Sequence, residues 1–274
     1  MGPDVMRRPD RPLSLAFVAL CVIALSACNS GSKGVKLPKA QLAVAPTYVA
    51  QDDGRIRKLH QYQSQLTLAG SDFGSGNLAS AEKRARAAQK LIPERPDALL
   101  LLAAIADRRG EGPRAGELLQ RAVAQAPERG DVLNNYAAWM CQHGDAQASL
   151  CMFERAIAAP GYASPGVALS NAGACALRAR QPVVAERYLR AALAQDPRDA
   201  QALDAMAQLS FDDGRYMEAR AFSERRLAAA PPTRSVLQLA SQIETRLGDQ
   251  RAAERYQQRI RQEFPQDADL NSKG

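Results

Sequence analysis

The chain is poor in the residues that most chemistry needs. Of its 274 residues only two are histidine, His60 and His143, and its five cysteines contain no Cys-x-x-Cys pair. A zinc site therefore lacks both its ligands and their spacing. There is no nucleophile elbow, no phosphate-binding glycine loop and no metal motif. His143 precedes Gly144 with only Cys141 close by, which suits a turn residue at a helix end better than half of a catalytic dyad. No enzyme, no cofactor, no metal and no small-molecule substrate are expected. Aromatic residues make up only 5% of the chain, with a single tryptophan, too few for the faces of a β-sandwich. Charge of one sign is not gathered either. The net charge of +7 arises from arginines dispersed among Glu and Asp, which reads as solvated helix surface and not as a basic tract for nucleic acid. What the chain does have is alanine and leucine throughout and 46% apolar residues. That is enough to bury a core of closely packed helices, so the expected fold class is all-α.

Long apolar runs are absent except near the start. Arg7, Arg8 and Arg11 precede an apolar stretch from Leu13 to Leu25, 13 residues and too short to cross a bilayer core of ~30 Å comfortably. This is the form of an export signal. The following Leu25-Ser26-Ala27-Cys28 resembles the lipobox of bacterial lipoproteins. The resemblance implies removal of residues 1–27, lipidation of Cys28 as the new first residue, and, with Asn29 and not Asp in second place, sorting to the outer membrane. Residues 28–55 are rich in Gly, Pro, Lys and Ser with no helical period. They read as a flexible tether whose coil would reach roughly 25 to 30 Å.

Export bears on the remaining cysteines. Cys21 leaves with the signal and Cys28 carries lipid, so Cys141, Cys151 and Cys175 stay in an oxidising compartment. Three cannot all pair. Cys141 and Cys151 flank a short turn between antiparallel helices, so a bridge between them is stereochemically open, whereas Cys175 lies in the next repeat. The alternative is that they are small buried apolar residues.

An internal repeat organises the rest. Pro93, Pro127, Pro197, Pro231 and Pro265 are spaced by 34, 70, 34 and 34 residues. The 70 is two periods plus two residues, with Pro160 and Gly161 nearly in register and the extra pair in the loop that follows. Gly76, Gly110, Gly144, Gly214 and Gly248 keep the same period, and the missing glycine falls where Arg180 precedes Gln181 and Pro182. A third row is Ala81, Ala115, Ser149, Ala185, Ala219 and Ala253. Glycine ends a first helix in the left-handed conformation, small residues let a second helix approach it, and proline stops the unit. This is similar to the 34-residue tetratricopeptide pattern.

Repeats in that register begin near Tyr62, Pro96, Gly130, Gly166, Ala200 and Arg234. Their fourth position is Leu99, Leu133, Leu169, Leu203 and Leu237, with Gln65 as the exception, and their eighth is Ala69, Ala103, Ala137, Gly173, Ala207 and Ser241. The expected architecture is a right-handed superhelix of six helical hairpins over residues 56–267, followed by a tail, 268–274.

The third and fourth repeats carry "LNNYA" and "SNAG", and the last ends in "RQEFP". With the lipobox and the six-repeat layout, the chain resembles the PilF/PilW family of type IV pilus lipoproteins; Ala137 departs from the glycine expected in "NNYG". The resemblance implies a pilotin that escorts secretin subunits to the outer membrane and promotes their multimerisation. Its partners would then be the secretin, as a protein or peptide segment, and the membrane through the lipid. Competing readings are another periplasmic tetratricopeptide lipoprotein scaffolding cell-wall or outer-membrane assembly, and an unrecognised hydrolase.

In such arrays positions 2, 5, 6, 9, 12 and 13 of each first helix face the concave side, opposite the packed positions. That assigns Leu66, Phe73, Leu100 and Leu101 to an apolar strip in the first two repeats. Asn134, Asn135, Gln142, Ser170 and Asn171 form a polar stretch in the third and fourth. Asn135 and Asn171, sharing position 6, either grip a peptide backbone or bond neighbouring helices.

Overall fold

The computed structural model describes residues 53–265; the signal, Cys28, Asn29 and nearly all of the tether and tail lie outside them. The described residues form twelve helices in six antiparallel pairs: α1 (Gly54–Gly74) with α2 (Leu78–Leu91), α3 (Asp97–Arg108) with α4 (Gly112–Gln125), α5 (Gly130–Gln142) with α6 (Ala146–Ala158), α7 (Pro165–Arg178) with α8 (Pro182–Gln195), α9 (Ala200–Asp212) with α10 (Tyr216–Ala229), and α11 (Arg234–Leu247) with α12 (Gln250–Glu263). None of the described helices is long and apolar enough to cross a membrane.

Each hairpin is built as the spacing implies. Gly76, Gly110, Gly144, Gly214 and Gly248 all adopt positive φ at the turn, where a side chain would clash with the following carbonyl. The fourth turn has no glycine, and Arg180 takes the same left-handed conformation at φ 57°. The helices restart on side-chain caps: Asn77, Asp145 and Asp249 each accept a hydrogen bond from the amide three residues on, satisfying one of the four unpaired amides of a new helix. Pro113, Pro165 and Pro182 stand at helix starts, where their missing N–H costs nothing.

The small residues are where the helices touch. Position eight, Ala69 through Ser241, is buried in every repeat, and so is the row from Ala81 to Ala253, including Ser149. Leu99, Leu133, Leu169, Leu203 and Leu237 are buried at position four, each contributing about 1.5–3 kcal/mol of transfer free energy. Gln65, the exception, is only half-buried, in the repeat that has no earlier neighbour.

Neighbouring repeats are stitched by polar contacts that recur with the period. Gln125, Arg155 and Arg225 donate to the carbonyls of Pro93, Pro127 and Pro197 at 3.0, 2.9 and 3.0 Å, so the residues that end one unit anchor the next. Asp97 ties three repeats together, accepting from Tyr62 at 2.9 Å and from Arg129 at 3.0 Å. Burial pushes its carboxyl up, but the Arg129 guanidinium and the Tyr62 hydroxyl outweigh it and leave the group below the usual carboxylate range. Glu82 receives Arg109, Arg114 and Arg86 and is held at about 2.

The cysteine pairing differs from the expectation. The disulfide joins Cys141 to Cys175, with Cα atoms 5.9 Å apart, and Cys151 is the exposed free thiol. In a superhelix the first helix of one repeat lies alongside the first helix of the next, so α5 and α7 face each other. Cys151 on α6 points away from that seam. Cys175 is buried, with the Ser149 hydroxyl 3.0 Å from its sulfur.

Candidate partner-binding face

The inner wall of the array is made by α3, α5, α7 and α9. Two adjoining clefts open along it. The first, about 160 Å³, is lined by Leu100, Ala103, Asp107, Asn135, Ala138, Trp139 and Gln142 among others. The second, about 90 Å³, is lined by Ala138, Gln142, Asn171, Ala174, Arg178, Gln201 and the Cys141–Cys175 bridge, over Phe153. Ala138 and Gln142 line both, so the clefts lie side by side.

The apolar strip reaches the first cleft only through Leu100. Leu101 and Phe73 are half-buried against the core of the first three repeats, and Leu66 packs beside Tyr62, Ala88 and Ala98. Phe73 is further covered by Arg108, whose guanidinium lies 4.2 Å above the ring and donates to its carbonyl.

The polar stretch is partly consumed by the fold. Asn134 and Ser170, at position five, are buried, because the curvature of the stack brings position six of the next helix over them. Asn171 donates to Asn134 Oδ1 at 3.1 Å and accepts from Gln201 at 2.9 Å, a ladder across three repeats. Asn135 is exposed and donates to the carbonyl of Asp131 on its own helix at 2.7 Å. Of the residues assigned to this stretch, Asn135 and Gln142 present side chains to the first cleft, and Gln142 and Asn171 to the second.

The ladder has a measurable consequence. Asn171→Ala removes one donor and one acceptor and leaves the buried Asn134 carbonyl oxygen unmatched, so it is expected to cost about 1–2 kcal/mol in urea unfolding. Asn135→Ala, exposed and bonded only within its helix, should cost less than about 0.5 kcal/mol. Equal costs would refute the ladder as a structural element.

Trp139 was not legible as a site residue from its repeat position. It forms the wall of the first cleft, donates Nε1–H to the carbonyl of Gly112 at 3.1 Å, and stacks on His143 with ring centroids 4.9 Å apart. His143 in turn meets Asp107 at 3.1 Å, so it orders a turn and rim of the cleft. The signal for Trp139 lay elsewhere in the sequence, in Gly112 and Gly116 of α4. A Cβ at Gly116 would stand 2.4 Å from the indole ring, and one at Gly112 would stand 2.6 Å from the His143 ring.

No protein-family model matches the chain, and no curated protein sequence matches it. Solved structures do. The crystal structure of PilW, a widely conserved type IV pilus biogenesis factor, superposes with a TM-score of 0.68 at 25% identity, covering 74% of this chain and 94% of that one. The fold is a tetratricopeptide-repeat superhelix. PilF of Pseudomonas aeruginosa superposes equally, with a TM-score of 0.68 over 76% of this chain and 94% of its own, but at 20% identity it speaks to the fold alone. A thermophilic tetratricopeptide-repeat protein from Thermus thermophilus matches at a TM-score of 0.56 and 23% identity, over 68% of this chain and 98% of that one. Proteins of this architecture bind other polypeptides.

Proposed function

We propose that this protein is a lipid-anchored pilotin: a periplasmic tetratricopeptide scaffold at the outer membrane that binds the type IV pilus secretin and promotes its localisation and multimerisation. The observation that carries the reading is the likeness to PilW, which spans 94% of that chain and so the repeat array as a whole and not a few generic hairpins. The lipobox resemblance at Cys28 supports it, since a factor that acts on an outer-membrane ring benefits from being held where the ring assembles. The adjoining clefts on the inner wall offer an apolar floor with carboxamides at the rim, the combination that takes an extended segment by burying its side chains and bonding its backbone.

The test is genetic and biochemical together. Deletion is expected to abolish detergent-resistant secretin multimers while leaving wall growth intact; unchanged multimers would overturn the proposal. Cys28→Ser should release the protein from membranes, because a lipid chain is what the anchor consists of. Asn29→Asp should shift it toward the inner membrane, with secretin multimers following the anchor.

A further inference from the structure

Three of the first helices carry an arginine at position thirteen of their repeat, and two of these arginines are occupied. Arg108 lies over Phe73. Arg246 lies over Phe211 and Tyr216 and donates to the Tyr216 hydroxyl at 3.1 Å. The third, Arg178, stands exposed at the end of α7 and lines the smaller cleft. Among the described residues it has no ion pair, no ring beneath it and no hydrogen bond. Asp212, at the same position one repeat on, accepts from Gln208 at 2.8 Å and makes no ion pair with Arg178. Gln142, on the opposite rim of the cleft, is likewise exposed and without a hydrogen-bond partner. The floor between them is Ala138, Ala174 and the disulfide, with Asn171 and Gln201 already bonded to each other along one side.

We propose that this cleft recognises a carboxylate side chain, Asp or Glu, within an extended segment of the protein partner. The inference rests on the reading of the inner wall as a polypeptide-binding face and names the chemistry of one subsite on it. A guanidinium presents paired N–H donors in a fixed fork that matches the two oxygens of a carboxylate. The free Gln142 carboxamide supplies a further donor from the other rim. The floor of alanines and the disulfide is apolar, the sides carry carboxamides, and the volume is about 90 Å³, room for the end of an acidic side chain. The carboxylate belongs to a side chain and not to a chain end, because a second cleft, beneath Leu100 and Trp139, lies next to this one across Ala138 and Gln142, in reach of a chain that continues past the acidic residue. A segment lying along both would place an apolar side chain in the larger cleft, within a few residues of the acidic one.

The test uses the full chain, held in mild detergent, as bait for phage-displayed random peptides flanked by fixed sequence, so that no peptide has a free carboxyl end in the randomised region. The expected result is enrichment of peptides with Asp or Glu at a constant spacing from an apolar residue. One such peptide, synthesised acetylated and amidated, should bind at least tenfold more weakly to Arg178→Gln and to intermediate degree to Arg178→Lys, with an affinity that falls as salt rises. Replacing its acidic residue by Gln or Asn should cost the same factor on the wild type and nothing further on Arg178→Gln. Enrichment without an acidic position, no enrichment above that on Arg178→Gln, or equal binding by a variant with native circular dichroism would each overturn the proposal. A synthetic peptide that binds only with a free C-terminal carboxylate would overturn it too. Enriched acidic peptides in a strain whose secretin multimers are indifferent to deletion would leave this subsite standing and remove the pilotin reading; the reverse outcome would separate them the other way.

Discussion

Replacing Cys141 and Cys175 together by alanine should cost the array about 3–4 kcal/mol and make its unfolding indifferent to reductant. The bridge spans 34 residues, and closing a loop of that length restricts the unfolded chain by an amount that the loop-entropy relation puts in this range. In an array whose stability is a sum of units and nearest-neighbour interfaces, the bridge acts on one interface, that between the third and fourth repeats. Its loss should therefore lower the denaturant midpoint and also broaden the transition, as the two halves begin to melt separately. Three controls fix the reading. Wild type in excess dithiothreitol should coincide with the double variant, the double variant should not respond to dithiothreitol, and Cys151→Ser should leave the midpoint where it was, since Cys151 is exposed and unbridged. A double variant with the wild-type midpoint would show that the interface is held by packing alone.

The same bridge marks where the sequence stopped being legible. Hairpin boundaries could be read because each depends on one residue's local physics: a left-handed glycine, a capping Asn or Asp, a proline. Even the gap in the glycine row was informative, since Arg180 occupies the left-handed turn that the period demanded. Pairing across repeats depends on how one first helix sits against the next, and that is set by the pitch of the superhelix. Cys141 is position twelve of its repeat and Cys175 position ten of the following one, an offset created by the two extra residues in the intervening loop. Nothing local in either stretch announces it. The inner wall failed for a related reason. A helical wheel divides inward from outward but does not say which inward positions the neighbouring helix covers, so it puts Asn134 and Ser170 on the concave face, whereas the next repeat buries them. Arg178 shares position thirteen with Arg108 and Arg246, and only the contacts separate the free one from the two that are stacked.

Gly116→Ala should destabilise the protein by about 1–2 kcal/mol, against the direction expected for that substitution inside a helix. Alanine is favoured over glycine in a helix interior by about 1 kcal/mol, and Gly116 lies within α4 with ordinary helical backbone. What reverses the sign is the indole. The new methyl would meet Trp139 Cη2 and Cζ2 at 2.4 Å, closer than carbon atoms pack, and the ring has little freedom to retreat. Its Nε1–H is committed to the Gly112 carbonyl, one face is stacked on His143, and Tyr136 lies 6.0 Å away on the same helix. Relief requires breaking that hydrogen bond or spreading α4 from α5, and overpacking of this kind costs about 1–3 kcal/mol. Because Trp139 is the chain's single tryptophan, its fluorescence reports the event directly, and emission should shift to the red as the ring is pushed toward the cleft. A double-mutant cycle then separates the clash from any general effect of the methyl. In a Trp139→Leu background, where the flat ring is gone, Gly116→Ala should recover its ordinary stabilising sign, giving a coupling of about 2 kcal/mol between the two sites. If Gly116→Ala instead stabilises the wild type with unchanged emission, the glycine is not there to admit the indole, and the wall of the larger cleft is less rigid than the stacked geometry implies.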